Sequence, residues 1–354
     1  MIRSANETDS LPFTPFPLVG EGRGEGESTT VGLHQRRINY LRLSITDRCN
    51  LRCVYCTYWH DWEKMPASEI LRYEELLRLV RAAAAAGITK VRVTGGEPLV
   101  RRGVVEFIRD LHQVPGIRKV CLTTNGVHLQ DLAALLYAAG LRQVNLSLDT
   151  LRRDRYRRIT GSDHLSEVLT GLAQAAAAGL HPIKINCVAL RGINEDELLD
   201  LARLARHHPY QVRFIELMPT VNLEWWRHHF LPVAEIRQRL SSLGPLVPVE
   251  PAATAGPARV FRVPGFAGEL GFISPMSGHQ CDSCNRLRVT ARGRLRPCLL
   301  EDAEIDLKGP LRSSLSDHNL THLVHAAMSR KLRAGKPGPF GAMREGLAMA
   351  GIGG

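Results

Sequence analysis

The chain has 354 residues, 44% of them hydrophobic and 23% charged, which is enough for more than one domain or for one barrel with an appendage. No apolar run reaches bilayer length, and the N-terminus lacks the basic-then-apolar order of a secretory signal, so a cytoplasmic protein with no membrane partner is expected. A formal charge of +11, carried mostly by arginine, asks for an anionic partner; with no lysine-rich tail and no basic stretch interleaved with aromatics, a nucleic acid is not the expected one.

In chain order, residues 1–36 mix Pro, Gly, Glu, Ser and Thr without helical or strand period and read as a disordered leader. Strands are then expected near 40–46, 90–94, 118–124, 142–148, 182–189 and 211–217, alternating with helices near 67–86, 103–113, 129–139, 165–178 and 194–207. The junctions AAAAAGITKVRVT, LYAAGLRQVNLSL and AAAAGLHPIKINCV each end an Ala-rich helix at a glycine and then enter a strand. Such alternation means βαβ units on a parallel sheet. Six units without a dinucleotide fingerprint favour an α/β fold, a partial TIM-like (βα)6 barrel over 37–245 with its site at the C-terminal ends of the strands. Beyond it come a helix near 232–243 and the Pro-rich LGPLVPVEPAATAGP, read as an interdomain connection. A smaller C-terminal domain over 246–340 and a tail over 341–354 ending Gly353-Gly354 complete the chain.

Strand parity carries a chemical expectation. Lys90, Arg92 and Thr94 share one face while Val91 and Val93 share the other, and the split recurs at Arg42 and Ser44, at Asn145, Ser147 and Asp149, and at Lys184 and Asn186. A filled barrel would be apolar on both faces. Buried unpaired cations cost several kcal/mol each, so this lumen should be wet and should await a polyanion unless Asp149 or Glu216 neutralises part of it.

Six of the eight cysteines fall into two groups, as suits metal ligation in a reducing compartment rather than disulfides. Cys49, Cys53 and Cys56 form C-x3-C-x2-C just after the first strand. Cys281, Cys284 and Cys298 form C-x2-C-x13-C, the last reached through a hairpin-like RVTARGRLRP. Three thiolates are one short of a closed zinc site, which His60 or His279 would have to complete. An iron–sulfur cubane held by three thiolates instead keeps one iron open to an outside ligand. Cys121 and Cys187, each alone on a strand, read as core thiols, and Trp225 and Trp226 as packing anchors.

The first trio, together with Gly95-Gly96-Glu97-Pro98 at the end of the second strand, resembles the radical S-adenosylmethionine (SAM) enzymes. With the second trio and the Gly-Gly end, the chain from about residue 37 onward resembles the GTP 3′,8-cyclases, lyases of the first step of molybdenum cofactor biosynthesis. The resemblance implies two 4Fe-4S clusters, one on each trio, and a 5′-deoxyadenosyl radical from SAM that removes hydrogen from the ribose C3′ of GTP to give 3′,8-cyclo-7,8-dihydroguanosine 5′-triphosphate. It places Tyr55, Gly96, Ser147 and Met218 around SAM. It places Arg42, Arg92, Thr123, Lys184, Arg286 and Arg288 on GTP, with Lys90 and Arg213 as supporting cations and no side chain required as a general base. The implied partners are GTP, an electron donor such as flavodoxin or ferredoxin, and the next enzyme, cyclic pyranopterin monophosphate synthase; homodimerisation stays open. Competing expectations are a radical SAM peptide-modifying enzyme with an auxiliary cluster, which the cationic lumen disfavours, and a non-catalytic zinc-binding module. After Cys56, where that family commonly carries Met-Pro, this chain has Thr57-Tyr58.

Overall fold

A computed structural model describes residues 37–333 apart from 57–63, 221, 252–254, 279–280, 282, 302 and 314. The expected leader, His60, the Thr57-Tyr58 variation, His279 and the Gly353-Gly354 end lie outside these residues.

The strands are β1 (Tyr40–Ser44), β2 (Lys90–Thr94), β3 (Lys119–Thr124), β4 (Gln143–Ser147), β5 (Ile183–Ala189), β6 (Gln211–Glu216), β7 (Val247–Val249), β8 (Arg259–Arg262), β9 (Glu269–Ile273), β10 (Arg286–Val289), β11 (Arg294–Arg296) and β12 (Ile305–Asp306). The helices are α1 (Tyr73–Ala85), α2 (Val104–Gln113), α3 (Leu129–Ala138), α4 (Arg153–Thr160), α5 (Leu165–Ala177), α6 (Leu198–His207), α7 (Leu223–His229), α8 (Val233–Arg239), α9 (Lys308–Arg312) and α10 (Asp317–Arg333). The first six strands pair in parallel in sequence order, the arrangement that helical crossovers impose. Their outer face is the predicted apolar one. Leu41, Leu43, Val91, Val93, Leu122, Leu146, Ile183 and Ile185 are fully buried and share one core with Leu76 and Leu79 of α1 and Phe107 and Ile108 of α2. Each such side chain contributes about 1.5–3 kcal/mol of burial.

The C-terminal segment builds no separate sheet. It extends the first one at both ends, in the order β12-β11-β10-β1-β2-β3-β4-β5-β6-β9-β8-β7, with β10 parallel to β1 and β9 parallel to β6. In sequence, β10 follows β9 although it stands on the other side of the six parallel strands. The sheet is curled. On a flat sheet β2 and β6 would stand about 19 Å apart. Here the charge of Arg92 on β2 acts on the guanidinium of Arg213 on β6, and both act on Lys184 of β5.

Several expectations change. The helix expected over 67–86 starts at Tyr73: after one 3-10 turn at Ala67–Glu69 the chain extends, so that fully buried Leu71 can donate its N–H to Ala291 O at 3.0 Å, and Arg72 N then caps onto Glu75 Oε2 at 2.6 Å. The Pro-rich connection contains β7, an edge strand antiparallel to β8, and an edge is where a strand tolerates Pro248. Helix α4 was not expected; its RDRYRRIT offers only Tyr156, Ile159 and Thr160 to the interior, too short a period to stand out.

Candidate active site

The cysteine-bearing loop that follows β1 is fastened by main-chain and side-chain bonds. Gly96 N donates to Thr46 O at 2.8 Å and Glu97 N to Arg48 O at 2.7 Å, so the GGEP segment lies flat against residues 46–48. A Cβ on Gly96 would stand 2.3 Å from Arg48 O, and one on Gly95 2.4 Å from Thr46 O, so only glycine permits this approach. The Glu97 carboxylate accepts from Leu99 N at 2.9 Å, Thr124 Oγ1 at 2.8 Å and Asn125 N at 2.6 Å. Burial pushes its carboxyl up to about 7 against those bonds. Asn125, held in this way, reaches Asn50 Oδ1 at 2.7 Å and lies 3.9 Å from Cys49 Sγ. On the far side, Tyr55 donates its hydroxyl to Asp149 Oδ2 at 2.6 Å and receives Thr220 Oγ1 on its carbonyl at 2.7 Å, while Val188 N donates to Asp149 Oδ1 at 2.8 Å.

The two trios are built alike. In each C-x2-C unit the second cysteine's N–H donates to the first one's carbonyl, Cys56 to Cys53 at 3.0 Å and Cys284 to Cys281 at 3.1 Å, a turn that gathers the two thiols. In each trio the outlying cysteine receives a main-chain N–H two residues on: Leu51 N on Cys49 Sγ and Leu300 N on Cys298 Sγ, both at 3.4 Å. Amide donors aimed at sulfur favour thiolates and tune a cluster. Their surroundings differ. Burial pushes the Cys49 thiol up to about 11 and the Cys53 thiol well above its ordinary value. Burial also raises Cys284, but Arg286 and Lys331 outweigh it and bring the thiol down to about 6. Among the described residues no three His, Cys, Asp or Glu close round a single metal ion; a cluster spreads its thiolates over separate irons.

Between the trios lies a cavity of about 390 Å³. It is lined by both trios, by Tyr55, Gly96, Ser147 and Met218, and by Arg42, Arg92, Thr123, Lys184, Arg286 and Arg288, so the residues that the resemblance placed on a cluster, on SAM or on GTP come to one space. Lys90 and Arg213 line it too. The pairing register sets its charge. Arg288 of β10, Arg42 of β1 and Arg92 of β2 are direct partners on three adjacent strands, and Arg286, Tyr40 and Lys90 form the next row. Like charges directly opposite one another destabilise a sheet. Burial and neighbouring guanidinium charges lower Arg213 to about 9 and hold Arg288 well below the usual range. Burial likewise lowers Arg42 to about 10, with Arg92 and Arg286 adding to the shift against a partial offset from Tyr40. Lys184, held down by burial and then by Arg213, Arg92 and Lys90, falls to about 6.

The acids that could have neutralised this lumen are engaged elsewhere. Asp149 is taken by Tyr55 and Val188, and Glu216 accepts from Val233 N at 2.8 Å, Met276 N at 3.0 Å and Ser277 N at 2.9 Å. Three buried polar atoms of the lining, Thr123 Oγ1, Asn145 Oδ1 and Asn186 Oδ1, have no hydrogen-bond partner among the described residues. A polar, phosphate-bearing ligand would satisfy both features.

Among the lining residues not singled out in the sequence, two bear on the cavity's charge. Tyr40 sits among the cations, its hydroxyl receiving Arg92 Nε at 2.5 Å and its ring lying 4.3 Å from Lys90 Nζ. Burial would raise its phenol, but Arg92, Arg42 and Lys90 together bring it down to about 8. It shares the parity of Arg42 and could have been found by it. Lys331, buried on α10 and donating to Pro297 O at 2.8 Å, comes from a helix whose polar sequence gave no signal.

Gly96→Ala tests the tether. The added methyl should drive the loop off the GGEP segment, and the purified protein should keep roughly half its iron, that of the other trio. Full iron content with an unchanged visible spectrum would refute this role.

Comparison with known proteins adds to the geometry. Residues 43–205 match the radical SAM superfamily and residues 210–336 match the family described as Molybdenum Cofactor Synthesis C. The chain is 51% identical over 297 residues to a GTP 3′,8-cyclase of Moorella thermoacetica, covering 84% of this chain and 92% of that one. It is 49% identical over 300 residues to a GTP 3′,8-cyclase of Pelotomaculum thermopropionicum, again covering 84% and 92%. Among solved structures, Streptococcus suis SuiB bound to S-adenosylmethionine superposes with a TM-score of 0.55 at 15% identity, covering 79% of this chain and 64% of that one, a likeness of fold alone.

Proposed function

The chain belongs to the GTP 3′,8-cyclase family of radical SAM enzymes, which act at the first step of molybdenum cofactor biosynthesis, and from that premise we propose how its cavity divides the work. The first trio, Cys49, Cys53 and Cys56, holds the 4Fe-4S cluster of the radical SAM core, with Tyr55, Gly96, Ser147 and Met218 around SAM. The second trio, Cys281, Cys284 and Cys298, holds a second 4Fe-4S cluster at the guanine end of GTP. Bound at its trio, the first cluster would supply the one-electron chemistry that cleaves SAM and through which the ribose C3′ would lose its hydrogen.

This chain's own residues bind and orient. The row Arg288, Arg42 and Arg92 receives the triphosphate, with Lys184 and Arg213 meeting it from β5 and β6; Arg286 contacts the purine end. Thr123, Asn145 and Asn186 offer their unsatisfied oxygens to sugar and base. Holding the ribose beside SAM is the main catalytic contribution, since proximity alone can be worth several kcal/mol. No buried carboxylate is needed as a base, in keeping with the tethering bonds that occupy Glu97, Asp149 and Glu216. The observation that carries the reading is the three arginines in register, facing a cavity that also receives both trios. No helix among the described residues is long and apolar enough to cross a membrane.

The test is anaerobic incubation of the iron-loaded protein with SAM, dithionite and GTP, read by mass spectrometry. 5′-Deoxyadenosine together with a product isomeric with GTP is the expected result. 5′-Deoxyadenosine with GTP intact would move the substrate elsewhere, and a peptide-modifying reaction would then be the reading to pursue.

A further inference from the structure

Helix α4 packs its end against the cluster loop. Arg52 N donates to Thr160 O at 2.8 Å and Val54 N to Ile159 O at 2.9 Å, so the last carbonyls of α4 are used up by the residues between the cysteines of the first trio. Five arginines fall at or on this helix, and they divide by end. At its start, Arg152 lies 3.4 Å from Asp196, Arg153 2.8 Å from Asp163, and Arg155 2.6 Å from Asp196 while also pairing with Glu197. At its last turn, Arg157 and Arg158 are exposed and have no acid partner within ion-pair distance among the described residues. Exposed Arg52 stands next to them, beside Gly161. Val54, 38% exposed, is hydrogen-bonded to the main chain of Ile159, next to Arg158, and lies one residue from Cys53 and two from Cys56.

We propose that Arg52, Arg157 and Arg158, at the end of α4 that the cysteine loop is bonded to, form the docking surface for an acidic one-electron donor protein that reduces the first cluster. The inference rests on the reading of the first trio given above. An electron must reach that cluster from outside: the donor is oxidised by one electron and the cluster is reduced by one. The surface that covers the cluster loop is where a donor comes nearest. Exposed charge of one sign beside the cysteines suits a transient partner of the opposite sign, steering its approach and fixing its orientation. Direct ion pairs hold the arginines at the start of α4, whereas among the described residues none holds Arg52, Arg157 or Arg158, although the charge of Arg157 acts on Asp163. Cations at a helix C-terminus also favour the helix dipole, which would be a purely local role.

The experiment compares wild type with Arg157→Glu/Arg158→Glu and with the charge-keeping Arg157→Lys/Arg158→Lys. Binding of reduced flavodoxin, an acidic one-electron donor, is measured by surface plasmon resonance on the iron-loaded chains at low and high salt. 5′-Deoxyadenosine formation is measured with flavodoxin and, separately, with dithionite. The glutamate pair should weaken flavodoxin binding at least tenfold and slow the flavodoxin-driven rate, while the dithionite-driven rate stays at its wild-type value. The lysine pair should restore binding, and salt should erase the difference. Unchanged flavodoxin binding in the glutamate pair overturns the surface, as does an equal loss with dithionite, which would mean the arginines support the loop. A wild type that makes no 5′-deoxyadenosine with dithionite overturns the reading of the first trio itself.

Discussion

Lys184→Met should make the ligand-free protein more heat-stable and at the same time cost about a hundredfold in kcat/KM for GTP, a loss of ~3 kcal/mol, within the range for a hydrogen bond to a charged group. The two effects share one cause. The Lys184 amine is pressed by burial and by Arg213, Arg92 and Lys90 to about 6, against an ordinary 10.5. Between those values the unfolded chain binds the proton that the folded chain gives up, so this group's contribution to stability rises with pH across that window. Methionine carries no such slope. The variant's advantage in thermal midpoint should therefore be largest near pH 6 and shrink toward pH 10, as read by thermal unfolding without nucleotide. Iron content should not change, because Lys184 touches neither trio in this reading. A variant no more stable than wild type at pH 6.5, or one that loses iron, would remove Lys184 from the triphosphate site. Arg92→Ala should also lose GTP turnover and keep its iron, but without a clean gain in stability, since Arg92 also donates to Tyr40 and to Leu122 O at 3.0 Å.

Cys281→Ser should abolish GTP cyclisation and leave SAM cleavage in place. The C-x2-C turn that gathers Cys281 and Cys284 is independent of the loop that carries Cys49, Cys53 and Cys56, and the trios meet only across the cavity. Iron should fall from roughly eight to roughly four atoms per chain, with 5′-deoxyadenosine still formed from SAM and dithionite. The cyclised product should drop to background, because the purine end of GTP would lose its holder and the ribose its alignment. Iron analysis and mass spectrometry of the same sample decide it. Normal cyclisation would take the second trio out of the reaction, and loss of SAM cleavage as well would show that the trios depend on each other for folding.

Period-two parity along four strands marked Arg42, Arg92, Asn145, Ser147 and Lys184 as neighbours on one face before any coordinates, because a side chain's face is a local property of a strand. The helices ending at Gly87, Gly140 and Gly179 were equally visible, each glycine having positive φ. Register was not local. Nothing near Arg288 says that it stands opposite Arg42, and that pairing turns scattered cations into a row. Tyr40 was passed over because an aromatic on a strand usually packs in the core, and only its cationic neighbours give it another character. The carboxylates misled in a different way. Asp149 and Glu216 looked available to neutralise the lumen, but the main-chain N–H of Val188 on β5 claims the one and that of Met276 beyond β9 the other.

The pairing of β1 with β10 also bears on how the protein is made. Tyr40 leaves the ribosome early and its register partner Arg286 very late, on the order of ten seconds or more apart at ~5–20 residues per second. Through most of synthesis β1 thus stands as a bare edge, its N–H and C=O groups open to a neighbouring nascent chain. The strand that begins the barrel is protected only when the strand following the second cysteine pair arrives, so the same loop that completes the cavity also ends the interval in which the newborn chain can aggregate.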